Sequence, residues 1–216
     1  MSLQDDVANF LLSDERYITL GLSRLNFSLD GCRVDTEGYR EIGNMIRIGS
    51  ISVRAARTSA GSSVAAVYTP ALDRISVPGH LDLRTRGTAL IGNQAMIVHE
   101  STHALLDFHR YSVLGSVDEA CAYIAGQTYA AALSYRLSSG NPSSQAILAA
   151  SQAIVDRRQM TAQVGAVLQP TDADVAALLG AIASHASAYP DANAVHRGDG
   201  IRIGEGLINP WYQPRE

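Results

Sequence analysis

Lysine is absent from the chain, and all seventeen basic residues are arginine. They are scattered, Arg57, Arg74, Arg84 and Arg86 among them, and 21 acidic residues leave the chain with a net charge of -4. A phosphate-binding face needs concentrated positive charge, so nucleic acid is not an expected partner. Cysteine is scarce. Cys32 and Cys121 are the only two, too few for a disulfide framework or a zinc ribbon, and they read as free thiols. No apolar run reaches 18 residues, which argues against a helical membrane span and a membrane partner. The start of the chain, Met1 to Asp6, is acidic and lacks an apolar signal core. A cytoplasmic location is the default expectation, with signal-independent export as the other option. Nor does the chain repeat at a period typical of solenoids or propellers.

Of its 216 residues, 46% are apolar and 18% charged. That is globular composition, and the length suffices to bury a core without covalent staples. The many alanines, together with arginine in place of lysine, suggest a GC-rich bacterial genome. We expect a single domain over 1–216: an N-terminal segment (1–63), a central core (64–138), C-terminal helices (139–188) and an irregular tail or surface hairpin (189–216). Residues 4–30 read as an amphipathic helix followed by a less regular segment. The stretch 39–53 mixes helical and strand signals. Residues 59–63 (SAGSS) form a loop. Val64–Tyr68 and Arg74–Val77 are β-like runs whose five-residue connection fits a hairpin. Helical patterning then runs over about 88–110, 117–138 and 143–168. A last helix follows Pro170, with Thr171 as its N-cap. The expected class is α+β, mostly helical.

The string Val98-His99-Glu100-Ser101-Thr102-His103-Ala104 lies within the first of those three helical stretches. Residues four apart share one helix face, so His99 and His103 can present their imidazoles to one tetrahedral zinc ion. Glu100 is rotated by about 100° on a 3.6-residue helix and is placed to take a proton from a metal-bound water. With six His and seven Glu in the chain, independent placement yields this pattern roughly 0.005 times per chain, low but not negligible. The flanks decide. Ala95 to Val98 and Ala104 to Leu106 make the helix apolar on several sides, hence buried. Burying two His and a Glu without partners costs several kcal/mol, which a metal offsets.

A catalytic zinc needs three protein ligands and one open position. Glu119, separated from His103 by fifteen residues, is the best candidate for the third. That gap lets the motif helix end near Arg110 and a second helix return with its first turn beside the metal. Ala122, Gly126 and Ala130 give that helix a small-residue face for close approach. The competing reading is a Ser116–Glu119 capping box, and Asp118 is the next choice of ligand. His109 points to another face. His185 and His196 are distant alternatives.

The strings HESTHALLD and DEACAY resemble the gluzincin metallopeptidases, the thermolysin-like clan of zincins, and compact bacterial minimal zincins. The resemblance covers about Val64 to Ala130. It implies a zincin-like fold with a small antiparallel sheet, an active-site helix and a C-terminal helical part. It also implies Zn2+ on His99, His103 and Glu119, with Glu100 as base. In the family an Asp four residues after the ligand Glu steadies a His; here that position is Tyr123. Asp107, four residues after His103, is a second-shell candidate, with a helix-end Asp as the plain alternative. Tyr123 is a candidate for stabilising the oxyanion, ahead of Tyr68, Tyr111 and Tyr129. Arg74–Val77 stands where the family has an edge strand that pairs with an extended peptide, with an ordinary core hairpin as the equal alternative. The expected activity is therefore peptide-bond hydrolysis on a protein or peptide substrate. The alternatives are a zinc hydrolase of another class and a non-catalytic zinc-binding module.

Overall fold

The computed structural model describes residues 2–56, 66–79, 81–83, 88–158, 165–185 and 189–202. The 59–63 loop, positions 64 and 65 of the first β-like run, Arg57, Arg84 and Arg86, and the tail beyond Arg202 lie outside the described residues.

Local chemistry sets the early elements. Ser2 and Asp5 form a capping box at the start of α1 (Leu3–Leu11). The helix stops at Leu11. Glu15 turns its backbone N–H onto Ser13 Oγ at 3.1 Å, and a separate α2 (Arg16–Leu22) follows. A hairpin joins β1 (Asn26–Leu29) to β2 (Cys32–Asp35). Its two-residue turn, Asp30-Gly31, has φ of 50° and 83°, the left-handed values a tight hairpin turn requires. Asp35 then caps α3 (Thr36–Arg47) by accepting the Gly38 N–H at 2.9 Å. β3 (Ser52–Ala55) follows, so the ambiguous stretch 39–53 holds both kinds of structure in succession.

β4 (Val67–Thr69), a 3-10 turn at Pro70–Leu72 and β5 (Arg74–Val77) come next, then α4 (Thr88–Phe108). After β6 (Ser112–Leu114) the chain enters α5 (Gly115–Ala132). The last described elements are α6 (Pro142–Arg158), β7 (Ala166–Leu168), α7 (Ala173–Ser184) and β8 (Val195–Arg197). The fold is α+β and mostly helical, with sheets ordered β2-β1-β7, β3-β5-β4 and β6-β8. Among the described residues, no helix is long and apolar enough to cross a membrane.

Several local expectations are corrected by tertiary pairing. The sheet before the motif helix is mixed, because β3 runs parallel to β5 while β4 is antiparallel to it. β5 is therefore the central strand and β4 the edge, so the edge-strand reading of Arg74–Val77 does not hold. The expected helix over 143–168 ends at Arg158 in the description, and Ala166–Leu168 pairs in parallel with Phe27–Leu29. A three-residue apolar run cannot announce a partner 139 positions earlier. The helix expected to reach 138 ends at Ala132, and Ser134 takes φ 57° just beyond it. Asp172, not Thr171, is the N-cap of α7, and its carboxylate accepts from Gln169 N rather than from the helix.

α4 packs most extensively on α5, and also against α3 and β4. Ile97, Val98, Ala104 and Leu105 are fully buried, each of the larger ones contributing about 1.5–3 kcal/mol. Gly126 of α5 lies against Ala95, where an added Cβ would sit 3.2 Å from the Ala95 carbonyl oxygen. The two helices approach closely enough that their side chains share one site. Cys32 and Cys121 are both free and buried.

Candidate metal centre

α4 presents His99 and His103 one turn apart, as the helical period requires. Their Nε2 atoms lie 3.3 Å from each other. From the first turns of α5, Glu119 places Oε2 3.6 Å from His99 Nε2 and Oε1 3.7 Å from His103 Nε2. These three ligand atoms lie within 4.8 Å of one another, so the cluster can hold a metal ion. The spacing can be tested against coordination geometry. Ligand atoms about 2.0–2.1 Å from a tetrahedral ion are about 3.3–3.4 Å apart. The Nε2–Nε2 separation matches that, and each imidazole has a different oxygen of Glu119 a few tenths of an ångström farther off. A second observation agrees. Glu119 Oε2 is buried with no hydrogen-bond partner, a costly state that a cation would relieve. The residues present fit a divalent ion.

The capping-box reading of Glu119 does not describe this helix. The N-cap of α5 is Leu114, which makes no side-chain cap. The first N–H groups are met from elsewhere in the chain: Gly115 N donates to Ala194 O and Ser116 N to Ala192 O, both at 2.8 Å. Glu119 is thus released from capping and faces the histidines.

Asp118, weighed in the sequence only as a substitute ligand, has a different position. Its Oδ1 lies 2.7 Å from His103 Nδ1. Burial opposes ionisation of Asp118, but the His103 charge and hydrogen bonds from His103 and His196 outweigh it. They hold the carboxyl well below its usual range. An ionised carboxylate only accepts, so His103 Nδ1 donates to it and Nε2 is left facing the cluster. For His103 itself, burial disfavours the charge while Asp118 and Glu119 favour it, and its pKa rises to about 10. Burial likewise pushes Glu119 up, but the neighbouring His103 charge and His99 bring it below its ordinary value.

Glu100 is buried and accepts the Tyr68 backbone N–H at 2.7 Å through Oε2. β4 has an outward-facing N–H to offer because it is an edge strand. Tyr123 lies edge-on to the His99 ring, centroids 4.7 Å apart, and its hydroxyl is hydrogen-bonded to that of Tyr189. Burial raises the Tyr123 hydroxyl above its ordinary pKa, so it remains protonated at neutral pH. Asp107, the expected second-shell carboxylate, is turned away from the imidazoles. Its Oδ2 accepts from Tyr68 Oη at 2.7 Å and its Oδ1 from Gly200 N at 3.1 Å. Asp118 takes the place expected of it, because one step along α5 puts a carboxylate at the far nitrogen of His103. Of the other candidates, Tyr129 is a core residue donating to Gln94, and the Tyr111 hydroxyl accepts from Arg33 N. His109 faces Glu41, and His185 packs beside Tyr189.

His99, Glu100, His103, Asp118, Glu119 and Tyr123 line a cleft of about 920 Å³. Along α4 it extends from Gly92 to Asp107, about 22 Å at 1.5 Å per residue. Its lining includes the apolar Met96, Leu137 and Leu148 and the polar Asp107, His196 and Arg197. Tyr189 lies in the cleft and sequence reasoning did not find it; His196, weighed only as a distant alternative ligand, lies there too, and no spacing rule links either to residues 118–123. The chain matches no known protein family, curated protein or solved structure.

Proposed function

We propose that the chain is a zinc-dependent metallopeptidase of zincin type, with His99, His103 and Glu119 as ligands and Glu100 as general base. The observation carrying this reading is the convergence of two imidazole Nε2 atoms and the Glu119 carboxylate in an open cleft, with a carboxylate on the adjacent residue of the motif helix. Two imidazoles and one carboxylate suit zinc, and three protein ligands leave one position open. A zinc ion bound there supplies Lewis acidity, polarising a carbonyl and making water more acidic.

The chain's own residues supply the rest. Asp118 fixes the tautomer of His103 by accepting from Nδ1. Glu100 is anchored through Oε2 to Tyr68 N. Its other oxygen is assigned to take the proton of the attacking water and return it to the leaving amine. Tyr123, protonated and adjacent to His99 and Glu119, is assigned to donate to the negative charge developing on the scissile carbonyl oxygen. A cleft about 22 Å long accommodates some six or seven residues of extended peptide at about 3.3 Å each. Its wall includes Val67 and Tyr68 of β4. Cleft length favours a peptide over a small ester or amide, and a purely structural zinc site requires neither a base nor a cleft.

The test is cleavage of a broad peptide library by zinc-loaded protein. Wild type is expected to cut and Glu100→Gln to lose cleavage while keeping its zinc. If zinc-loaded wild type cuts no member, the peptidase reading is rejected.

A further inference from the structure

We infer that His196 is a positioning residue of the metal centre, holding Asp118 so that Asp118 in turn holds His103; this rests on the metal-site reading above. His196 Nδ1 lies 3.0 Å from Asp118 Oδ2, while Asp118 Oδ1 lies 2.7 Å from His103 Nδ1. Both carboxylate oxygens are thus engaged, each by an imidazole. A carboxylate held at one oxygen can swing about that contact. Held at both, it has one orientation, and the His103 ring inherits it.

His196 is itself fixed in place. It lies on β8, in register with Val113 of β6, and β6 leads directly into α5. The Ala192 and Ala194 carbonyls cap the first N–H groups of that helix, so the segment bearing His196 and the helix bearing Asp118 form one unit. Gly115 leaves space for the ring. A Cβ there would lie 2.8 Å from His196 Nε2 and 2.5 Å from the Asp191 carbonyl oxygen. The same segment is fastened on either side, by Tyr189 to Tyr123 and by Gly200 N to Asp107. With Nδ1 on Asp118 and Nε2 against Gly115, His196 faces away from a ligand role. It lies outside the His99–His103–Glu119 cluster, and its effect on the metal passes through Asp118.

The experiment measures the zinc dissociation constant by competition with a chromophoric chelator, for the full chain and its variants. His196→Leu keeps bulk and removes the donor; His196→Asn keeps a donor at nearly the same position. Loss of an outer-shell partner weakens metal binding about 10–100-fold, so His196→Leu is expected to weaken zinc about tenfold and His196→Asn to remain within about twofold of wild type. The decisive comparison is made on Asp118→Ala. If His196 acts through Asp118, adding His196→Leu there changes affinity no further. Wild-type affinity in His196→Leu, or a tenfold loss that recurs in full on Asp118→Ala, overturns the inference and leaves the metal site standing. A wild-type chain that takes up no zinc overturns both.

Discussion

The backbone N–H of Tyr68 donates to Oε2 of Glu100 at 2.7 Å, tying the motif helix α4 to the edge strand β4. Glutamine keeps an acceptor at that position and alanine does not. Glu100→Gln is therefore expected to fold with near wild-type stability. Glu100→Ala leaves a buried N–H unpaired and is expected to lose about 1–3 kcal/mol. Urea denaturation of the two variants checks this, and equal midpoints would show that the hydrogen bond carries no weight.

Metal binding should appear as stability. A ligand that binds only the folded state at about a thousand times its Kd adds about 4 kcal/mol. For a chain of this size that corresponds to a rise in Tm of about 8–16 °C. Scanning calorimetry with one equivalent and with excess zinc is expected to show this rise in wild type, with EDTA reversing it. His99→Ala, His103→Ala and Glu119→Ala are each expected to abolish the shift, and an undiminished shift in any of them removes that residue from the ligand set.

Loading should also release a proton. The His103 pKa in the metal-free fold is about 10, above its ordinary 6.5. A group raised in this way stabilises the metal-free fold fully below about pH 6.5, and the contribution is lost as pH rises through about 10. An ion that needs the Nε2 lone pair must displace that proton at neutral pH. Zinc affinity is therefore expected to rise as pH rises from 6.5 toward 10. Calorimetric titration at pH 7.5 in buffers of differing ionisation enthalpy should show release of about one proton from this group. Zinc uptake without proton release at that pH would overturn this expectation.

Gly126 governs how closely α5 approaches α4. A side chain there meets the Ala95 backbone at 3.2 Å, and backbone does not yield as a flexible side chain does. Gly126→Val is expected to cost about 1–3 kcal/mol by overpacking and to weaken zinc by separating Glu119 from the histidines. Denaturation together with zinc competition tests both effects; loss of stability at unchanged zinc affinity would uncouple the helix spacing from the site.

The legible parts of this protein are those whose physics is local. The spacing of His99 and His103 is one helical turn, and the apolar flanks of α4 state its burial. Both ends of α4 and the start of α5 lie near their expected positions, and Glu119 stands out because a fifteen-residue gap leaves room for a helix to return. The choice between ligand and cap for Glu119 was not local. It turned on Ala192 and Ala194 supplying the carbonyls that meet the start of α5.

By itself the sequence determined the motif helix, its two imidazoles and the adjoining carboxylate, because a period of 3.6 residues acts over a single turn whatever surrounds it. Tertiary structure alone decided that Asp118 rather than Asp107 meets His103, that β4 rather than β5 is the edge, and that Ala166–Leu168 is a strand. It also brought Tyr189 and His196 to the cleft. Each of those outcomes depends on a contact between segments far apart in the chain, where no period links the partners and only the packing of the whole fold selects one neighbour over another.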